Sequence, residues 1–418
     1  MTGLPERRAI ISGVGISRIG RRTGIPGTDL TAEASRQAIA DAGLLPTDID
    51  GVATLGDTPL EEACAALGLA PTYLGGDVDT GGLLSPVMSA VIAVAAGRAR
   101  HVLVYRTVQM MGGAVLPGGE APHLDGAGGT GDAGRPDAGR PEADRFEVVE
   151  SAASAPARAY PPRNGLAAGL DELMTYHAYS AANWLAMHCR RHMHLYGTTK
   201  EQLGILAINS RRNAGLNPLA VYRDPITLHD YVSARKVSEP FGLLDCDVPI
   251  DGSVAVVVSV ADHASACEHP VRIEAMGGST GPGGWYMRPD YPNMASVDAA
   301  AQMWSHTDLR PVDVDFAELY DGFTFLTLAW LEAFGFCGEG ESGPFVGDPE
   351  KIALEGSLPL NTYGGQLSAG RMHGYWLLHE ACVQLRGQAG DRQVARHRVA
   401  AVGAGGGPIA GALLLTAG

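Results

Sequence analysis

The sequence predicts an α/β fold that is duplicated within one chain. Three observations carry this. The segment LLPTDIDGVATLGD, Leu44 to Asp57, has an echo in LRPVDVDFAELYDG, Leu309 to Gly322. A second pair, GGLLS from Gly81 to Ser85 and GGQLS from Gly364 to Ser368, follows in the same order. In each half the glycine pair precedes a helical run and then an apolar strand, HVLVYR in the first and RVAAVGAGG in the second. One short match could arise by chance, but two in the same order mark repeated strand–helix–strand units.

Taken in order, RAIISGVG (Arg8 to Gly15) is the first strand. TAEASRQAIADAG follows as a helix, with Thr31 as N-cap and Gly43 as the left-handed residue past its end. LPTDIDGVATLGD reads as a turn into a strand. In the run after GGLLS, Met88, Val91, Ile92 and Ala95 share one helical face. HVLVYR, His101 to Arg106, is a continuous apolar run and therefore a buried strand. From Gly112 to about Asn164 the chain turns rich in Gly, Ala, Pro and Asp. Such a segment buries too little apolar surface to offset its ordering entropy, so a mobile insertion without chemistry is expected. Helices resume in DELMTYHAYSAANWLAMHCRRHMHLYG and in TTKEQLGILAINSRRNAGLNP, the latter stopping near Gly215 and Pro218. After an irregular stretch to Pro240, DVPIDGSVAVVVSV is a glycine turn feeding a buried strand. The expected division is an N-terminal half over 1–262, with a loop domain at about 112–240, and a C-terminal half over 263–418.

Composition narrows the function. The chain has 418 residues, 45% hydrophobic and 18% charged, enough for a large buried core. Its 56 glycines are about twice the usual share and point to many close backbone approaches. A net charge of −15 argues against a nucleic-acid surface, although a local arginine patch could still hold a small anion. The six cysteines show no CxxC spacing, so a zinc or disulfide framework is not expected. MTGLPERRAI is followed by no signal-peptide core, and no run reaches the roughly 18 apolar residues of a membrane span. A cytoplasmic enzyme with reduced thiols is the expectation.

The candidate chemistry gathers in NTYGGQLSAGRMHG, Asn361 to Gly374. Tyr363 directly precedes Gly364 and Gly365, where backbone can approach a ligand closely; the competing reading is a buried structural tyrosine. Tyr320 ends the apolar strand FAELY, the place where α/β sites form, and Asp321 beside it could orient a donor or cap a helix. A phenol with its ordinary pKa near 10 is a poor base unless a cation holds its anion, and Arg371 could supply one. His373 has an imidazole suited to acid–base work or to helix packing. Asn361 is suited to bracing the turn. His188, His192 and His194 do not share one helical face, so no metal site is read there. Cys337 in FGFCGEGESG reads as a buried thiol.

These motifs together resemble the thiolase superfamily, in its sterol-carrier-protein and lipid-transfer-protein branch. HLYGTTKEQLGILAINSRRNAGLNP is similar to that branch's loop-domain segment. ELYDGF resembles its HDCF box, with Tyr320 at the histidine and Gly322 at the cysteine. NTYGGQLSAGRMHG resembles NxxGGxxxxGHPxG, and VGAGGGPIAG resembles the closing CxGGG turn. The resemblance implies the five-layer α/β/α/β/α thiolase fold with a loop domain. It also places the nucleophilic cysteine at Gly82, the acid–base cysteine at Gly403 and the GHP histidine at Arg371. Without those groups a thiolytic ping-pong reaction has no nucleophile.

What the resemblance leaves is a cavity for a thioester enolate. Breaking the carbon–carbon bond of a β-hydroxyacyl-CoA also produces one, and that retro-aldol step needs a base, an acid and enolate donors but no covalent intermediate. The chain is most similar to the steroid side-chain-cleaving aldolases. That likeness implies a 17-hydroxy steroid with a three-carbon CoA thioester side chain, cleaved to a ketone and propionyl-CoA. It implies Tyr363, Tyr320, His373, Arg371 and Asp321 as catalytic residues. Gly82, Gly364, Gly365, Asn361, Gly405, Gly406 and Arg211 would bind substrate, with Arg190, Arg191, Arg211 and Arg212 near the CoA phosphates. It further implies a homodimer core, a small OB-fold acyl-CoA-binding partner, and no bound cofactor, coenzyme A entering as part of the substrate. Two other readings stay open: a thiolase-like acyltransferase with a non-standard nucleophile, and a non-catalytic lipid- or acyl-CoA-binding subunit.

Overall fold

Strand order displays the duplication. The computed structural model describes residues 4–56, 58–76, 82–110, 170–280 and 284–418. In the first half lie β1 (Ala9–Ile16), β2 (Gly51–Thr54), β3 (Tyr73–Gly75) and β4 (His101–Gln109). A small hairpin, β5 (Lys236–Ser238) with β6 (Phe241–Gly242), precedes β7 (Asp251–Val260). The second half supplies β8 (Val271–Thr280), β9 (Phe316–Leu319), β10 (Val399–Gly406) and β11 (Ile409–Ala417). Nine of these form one sheet in the order β3-β2-β4-β7-β1-β8-β11-β10-β9. Beyond β9, Leu360 bridges in parallel to Ala317 and takes the place that β3 has in the first half. Both halves therefore run third, second, fourth, fifth, first, and they meet where β1 pairs with β8.

The repeated PxDxD pattern has a physical cause. Each proline opens a single 3-10 turn, Pro46–Asp48 or Pro311–Asp313. Asp48 accepts the Leu45 N–H at 2.8 Å, and Asp313 accepts the Arg310 N–H at 2.8 Å. Two residues on, the Asp50 carboxylate accepts the N–H groups of Arg100 and His101, while Asp315 accepts those of Arg398 and Val399. The first aspartate closes the turn. The second ties the start of the second strand to the start of the fourth.

The helices are α1 (Gly27–Asp41), α2 (Leu60–Leu67), α3 (Ser85–Ala95), α4 (Leu170–Thr175), α5 (Ala181–Tyr196) and α6 (Lys200–Gly215). They continue with α7 (Leu228–Ser233), α8 (Ala295–Trp304), α9 (Thr324–Ala333), α10 (Ser342–Val346) and α11 (Tyr375–Leu385). α1 covers β1, β4 and β7, and α8 covers β8, β10 and β11 in the matching position. α3 packs on β2, β4 and β7, whereas α11 touches β9 and β10 of its own half and β1 and β7 of the other. That is the five-layer arrangement, with α3 and α11 in the middle layer. Helices α5 to α7 lie within the stretch expected to be the loop domain, and α6 leans on the glycine turn near residue 365.

Some sequence expectations shift. α1 begins at Gly27 after Pro26, so Thr31 is not its N-cap but lies inside it, its hydroxyl donating to the Gly27 carbonyl at 2.7 Å. Gly43 does adopt φ +69, and α6 is capped by Thr199, whose hydroxyl accepts the Gln202 N–H. On α3, Met88 and Val91 are buried but Ile92 is 50% exposed. The insertion expected over 112–164 lies outside the described residues. The two glycine pairs are offset: Gly82 leads straight into α3, whereas Gly365 opens a π-helical turn, Gly365–Ala369, and α11 starts only at Tyr375. The extra residues carry Arg371 and His373.

Candidate active site

Strand β9 ends in Glu318 and Leu319 and runs on into Tyr320 and Asp321, and residues of this stretch grip the glycine turn on both sides of Tyr363. Asn361 bridges the strand through its carboxamide, accepting the Leu319 N–H at 2.7 Å and donating to the Leu319 carbonyl at 2.9 Å. Glu318 accepts the N–H and hydroxyl of Thr362 at 3.0 and 2.7 Å. Asp321 accepts the N–H groups of Gln366 at 2.8 Å and Leu367 at 3.4 Å. Gly364 and Gly365 have φ +106 and +60, and a Cβ on Gly365 would stand 1.9 Å from the Asp321 carboxylate. Only glycine lets the turn close onto β9.

Tyr363 is fully buried, its ring stacked on Trp376 with centroids 5.0 Å apart. Among the described residues its hydroxyl has no hydrogen-bond partner. Burial pushes the phenol far up, and the charges of Asp321, Glu318 and Glu380 push it further, with Tyr320 adding to them. Tyr320 is also raised, by burial and then by Asp247, but Arg371 opposes the shift. Arg371 lies 3.3 Å from Asp247, whose carboxyl burial lifts to about 6. Asp321 is lifted to about 7 by burial, against the pull of its backbone donors. The two phenols, both raised, thus differ in one respect: Tyr320 has the Arg371 guanidinium beside it as well as the carboxylates of Asp247 and Asp321, whereas Tyr363 is surrounded by carboxylates.

His373 stands at φ +51, and its Nδ1 is 2.8 Å from the Arg106 guanidinium. A guanidinium can only donate, so Nδ1 accepts and the ring proton sits on Nε2. Burial, Arg106 and Arg371 all hold this imidazole well below its ordinary range, so it is a neutral N–H donor.

The positions of the two missing thiols are closed. Gly82 has φ +54, and a Cβ there would stand 2.9 Å from the Ala410 nitrogen. At Gly403 it would stand 2.7 Å from the Trp330 ring. Gly405 and Gly406 end β10 and pair with Ala410 and Ile409, so the hairpin they form sits against the Gly82 turn. Cys337 is half-buried, and burial with Glu332 and Glu341 raises its thiol to about 12, far from a thiolate nucleophile.

Arg211 is a correction. Its side chain is buried, donating to Ser368 at 3.0 Å and to the Asp224 carbonyl at 3.2 Å, with the guanidinium over Tyr222. It braces the π-helical turn from behind and is not presented to a phosphate. Arg190, Arg191 and Arg212 are exposed. His192 is held between Thr198 and Glu332 at 2.9 and 3.0 Å, a carboxylate distant in sequence. Among the described residues no group of three or more His, Cys, Asp or Glu side chains could hold a metal, and no helix is long and apolar enough to cross a membrane. Sequence reading missed Arg106, Asp247 and Glu318. A charge ending the apolar run HVLVYR was the one available signal.

Comparison with known proteins agrees with this layout. The Thiolase C-terminal domain-like family matches residues 284–415. A 17-hydroxy-3-oxo-4-pregnene-20-carboxyl-CoA lyase of Mycobacterium tuberculosis is 34% identical, covering 97% of this chain and 99% of its own. A steroid side-chain-cleaving aldolase of Thermomonospora curvata is 33% identical over 94% of each chain. The solved Ltp2-ChsH2(DUF35) aldolase superposes with a TM-score of 0.82 at 30% identity, covering 99% of each chain. An SCP2-thiolase-like protein type 1 of Mycobacterium smegmatis, at 17% identity and TM-score 0.67 over 98% of this chain and 77% of its own, shares the fold. The fold and the closed thiol positions define a thiolase-like protein without the thiolase nucleophile. The chain belongs to the thiolase superfamily, among its carbon–carbon lyases of the steroid side-chain-cleaving aldolase family.

Proposed function

We propose that this protein cleaves a β-hydroxyacyl-CoA by a retro-aldol reaction, the substrate being a 17-hydroxy steroid with a three-carbon CoA thioester side chain. The products are a 17-ketosteroid and propionyl-CoA. The observation that carries the reading is a pair of buried phenols, Tyr320 with a guanidinium beside it and Tyr363 among carboxylates, together with closed positions for both thiols. Arg371 supports Tyr320 as the base that takes the hydroxyl proton. As the carbon–carbon bond breaks, its electron pair passes into the thioester and forms an enolate. The Nε2–H of His373 and backbone N–H groups near Gly82 suit that developing charge. Tyr363, kept protonated by burial and by the carboxylates around it, suits delivery of the proton to the enolate carbon. The full assembly in this reading is a homodimer core joined by a small OB-fold acyl-CoA-binding partner; the Ltp2-ChsH2(DUF35) relative, an aldolase of two proteins, supports the presence of a partner.

The test is turnover without free CoA. Purified protein, with its partner, should release propionyl-CoA and ketone from the hydroxylated thioester. Tyr320→Phe and Tyr363→Phe should each lower kcat by about 10²–10⁴-fold, the usual span of general acid–base catalysis, with unchanged folding by circular dichroism. Cleavage that requires CoA and traps an acyl-enzyme would favour the acyltransferase reading. Binding without turnover would favour a non-catalytic subunit.

A further inference from the structure

Buried carboxamides in folded proteins almost always have hydrogen-bond partners. Gln366 does not. Its residue is fully buried, and among the described residues neither its side-chain oxygen nor its nitrogen has a hydrogen-bond partner of normal geometry; the amide stands only near enough to the Tyr320 hydroxyl to favour its anion. The backbone on both sides is nevertheless tightly held. Its N–H donates to Asp321 at 2.8 Å, and its carbonyl accepts the Val248 N–H at 2.9 Å. Those two partners are the chain neighbours of Tyr320 and of Asp247, the carboxylate paired with Arg371. The amide is thereby set beside the Tyr320 hydroxyl. The unpartnered hydroxyl of Tyr363 lies three residues back on the same turn.

An unpaired buried amide is a standing cost to the fold. Leucine or methionine would fill the same space without it, so packing does not explain a glutamine here. Groups that break a local rule in this way gather where a ligand completes them.

We propose that Gln366 recognises the substrate's β-hydroxyl oxygen, donating to it through Nε2 while Tyr320 removes its proton. The contact persists as that oxygen becomes the carbonyl of the ketone product. The O–H proton passes to the phenolate oxygen of Tyr320, and the O–H electron pair forms the new C=O bond. The electrons of the broken carbon–carbon bond enter the enolate, which takes its proton from Tyr363. This inference rests on the retro-aldol reading above.

The test uses two CoA thioethers, in which a methylene replaces the thioester carbonyl and no enolate can form. One carries the β-hydroxyl and the other lacks it. Calorimetry on the full-length chain should show the hydroxylated ligand bound about ten-fold more tightly by the wild type, the worth of one net hydrogen bond. In Gln366→Leu and Gln366→Met the ratio should fall to about one, while Tm holds or rises because an unsatisfied amide has been removed. A lowered Tm with the hydroxyl preference intact would make Gln366 a structural residue and overturn the proposal. If the wild type cleaves the thioester and both variants keep the preference, the Gln366 assignment fails alone. If the wild type neither prefers the hydroxyl nor releases ketone, the retro-aldol reading fails and takes this one with it.

Discussion

A phenol works as a base only where something holds its anion, and Arg371 is the group placed to do so for Tyr320. Arg371→Met should therefore lower kcat at neutral pH and move the alkaline-rising limb of the pH–rate profile upward. A profile of unchanged shape would mean the guanidinium serves only Asp247. Asp321 gives a second prediction through linkage. Its carboxyl is raised to about 7, so the folded protein keeps a proton that the unfolded chain releases above about 4. Stability from this group is present at low pH and declines as pH rises through that window, by about 1.4 kcal/mol per pH unit for one proton. Above pH 7 its slope is flat. Asp321→Asn should remove that component, read as a shallower dependence of the urea midpoint on pH between 4 and 7.

At the scale of elements, the two glycine turns do different work. The Gly82 turn brings the start of α3 against Ala410, and its left-handed φ leaves no place for a side chain. Gly82→Cys should then fail to restore a thiolase nucleophile. It should cost about 1–2 kcal/mol for a side chain at positive φ, plus the displacement of Ala410. Mass spectrometry should find no acyl adduct on the new thiol, and denaturant unfolding should report the loss. Much of this layout was legible beforehand because it is written in local pattern. PxDxD recurs since its first aspartate closes a turn three residues long, even though the second reaches a distant strand, and Asn361, Tyr363 and Tyr320 were found from their place beside glycine and at a strand end. What stayed hidden depends on long-range packing. Arg106 meets His373 across 267 positions, and Asp247 meets Arg371 only because the segment after β6 folds back under the turn. Arg211 shows the reverse error: an arginine in the expected helix, but on its buried side.

Over the whole molecule, the two ends of the sheet are treated differently. β9 is covered by the segment that carries Leu360, whereas β3 has no described strand on its outer side. An open strand edge offers unpaired N–H and C=O groups, and folds manage that exposure by charge, by covering, or by pairing. The three residues of β3, Tyr73–Gly75, carry no charge. Leu74 on β3 is 58% exposed, and Ile92 on the neighbouring α3 is 50% exposed, although it belongs to the helix's apolar run. Tyr73 also ties β3 to that helix by donating to the Ser89 carbonyl at 3.4 Å, so edge and helix form one surface. A two-fold axis through β3 would pair it with its own copy and cover both side chains, which is the isologous arrangement most homodimers adopt. The expected species at micromolar concentration is therefore a dimer of the 43.5 kDa chain. Leu74→Lys, which places a charge on the edge without touching Tyr320 or Tyr363, should shift sedimentation equilibrium toward monomer. A wild-type chain that sediments as a monomer, or a Leu74→Lys variant that remains fully dimeric, would remove β3 as the pairing edge.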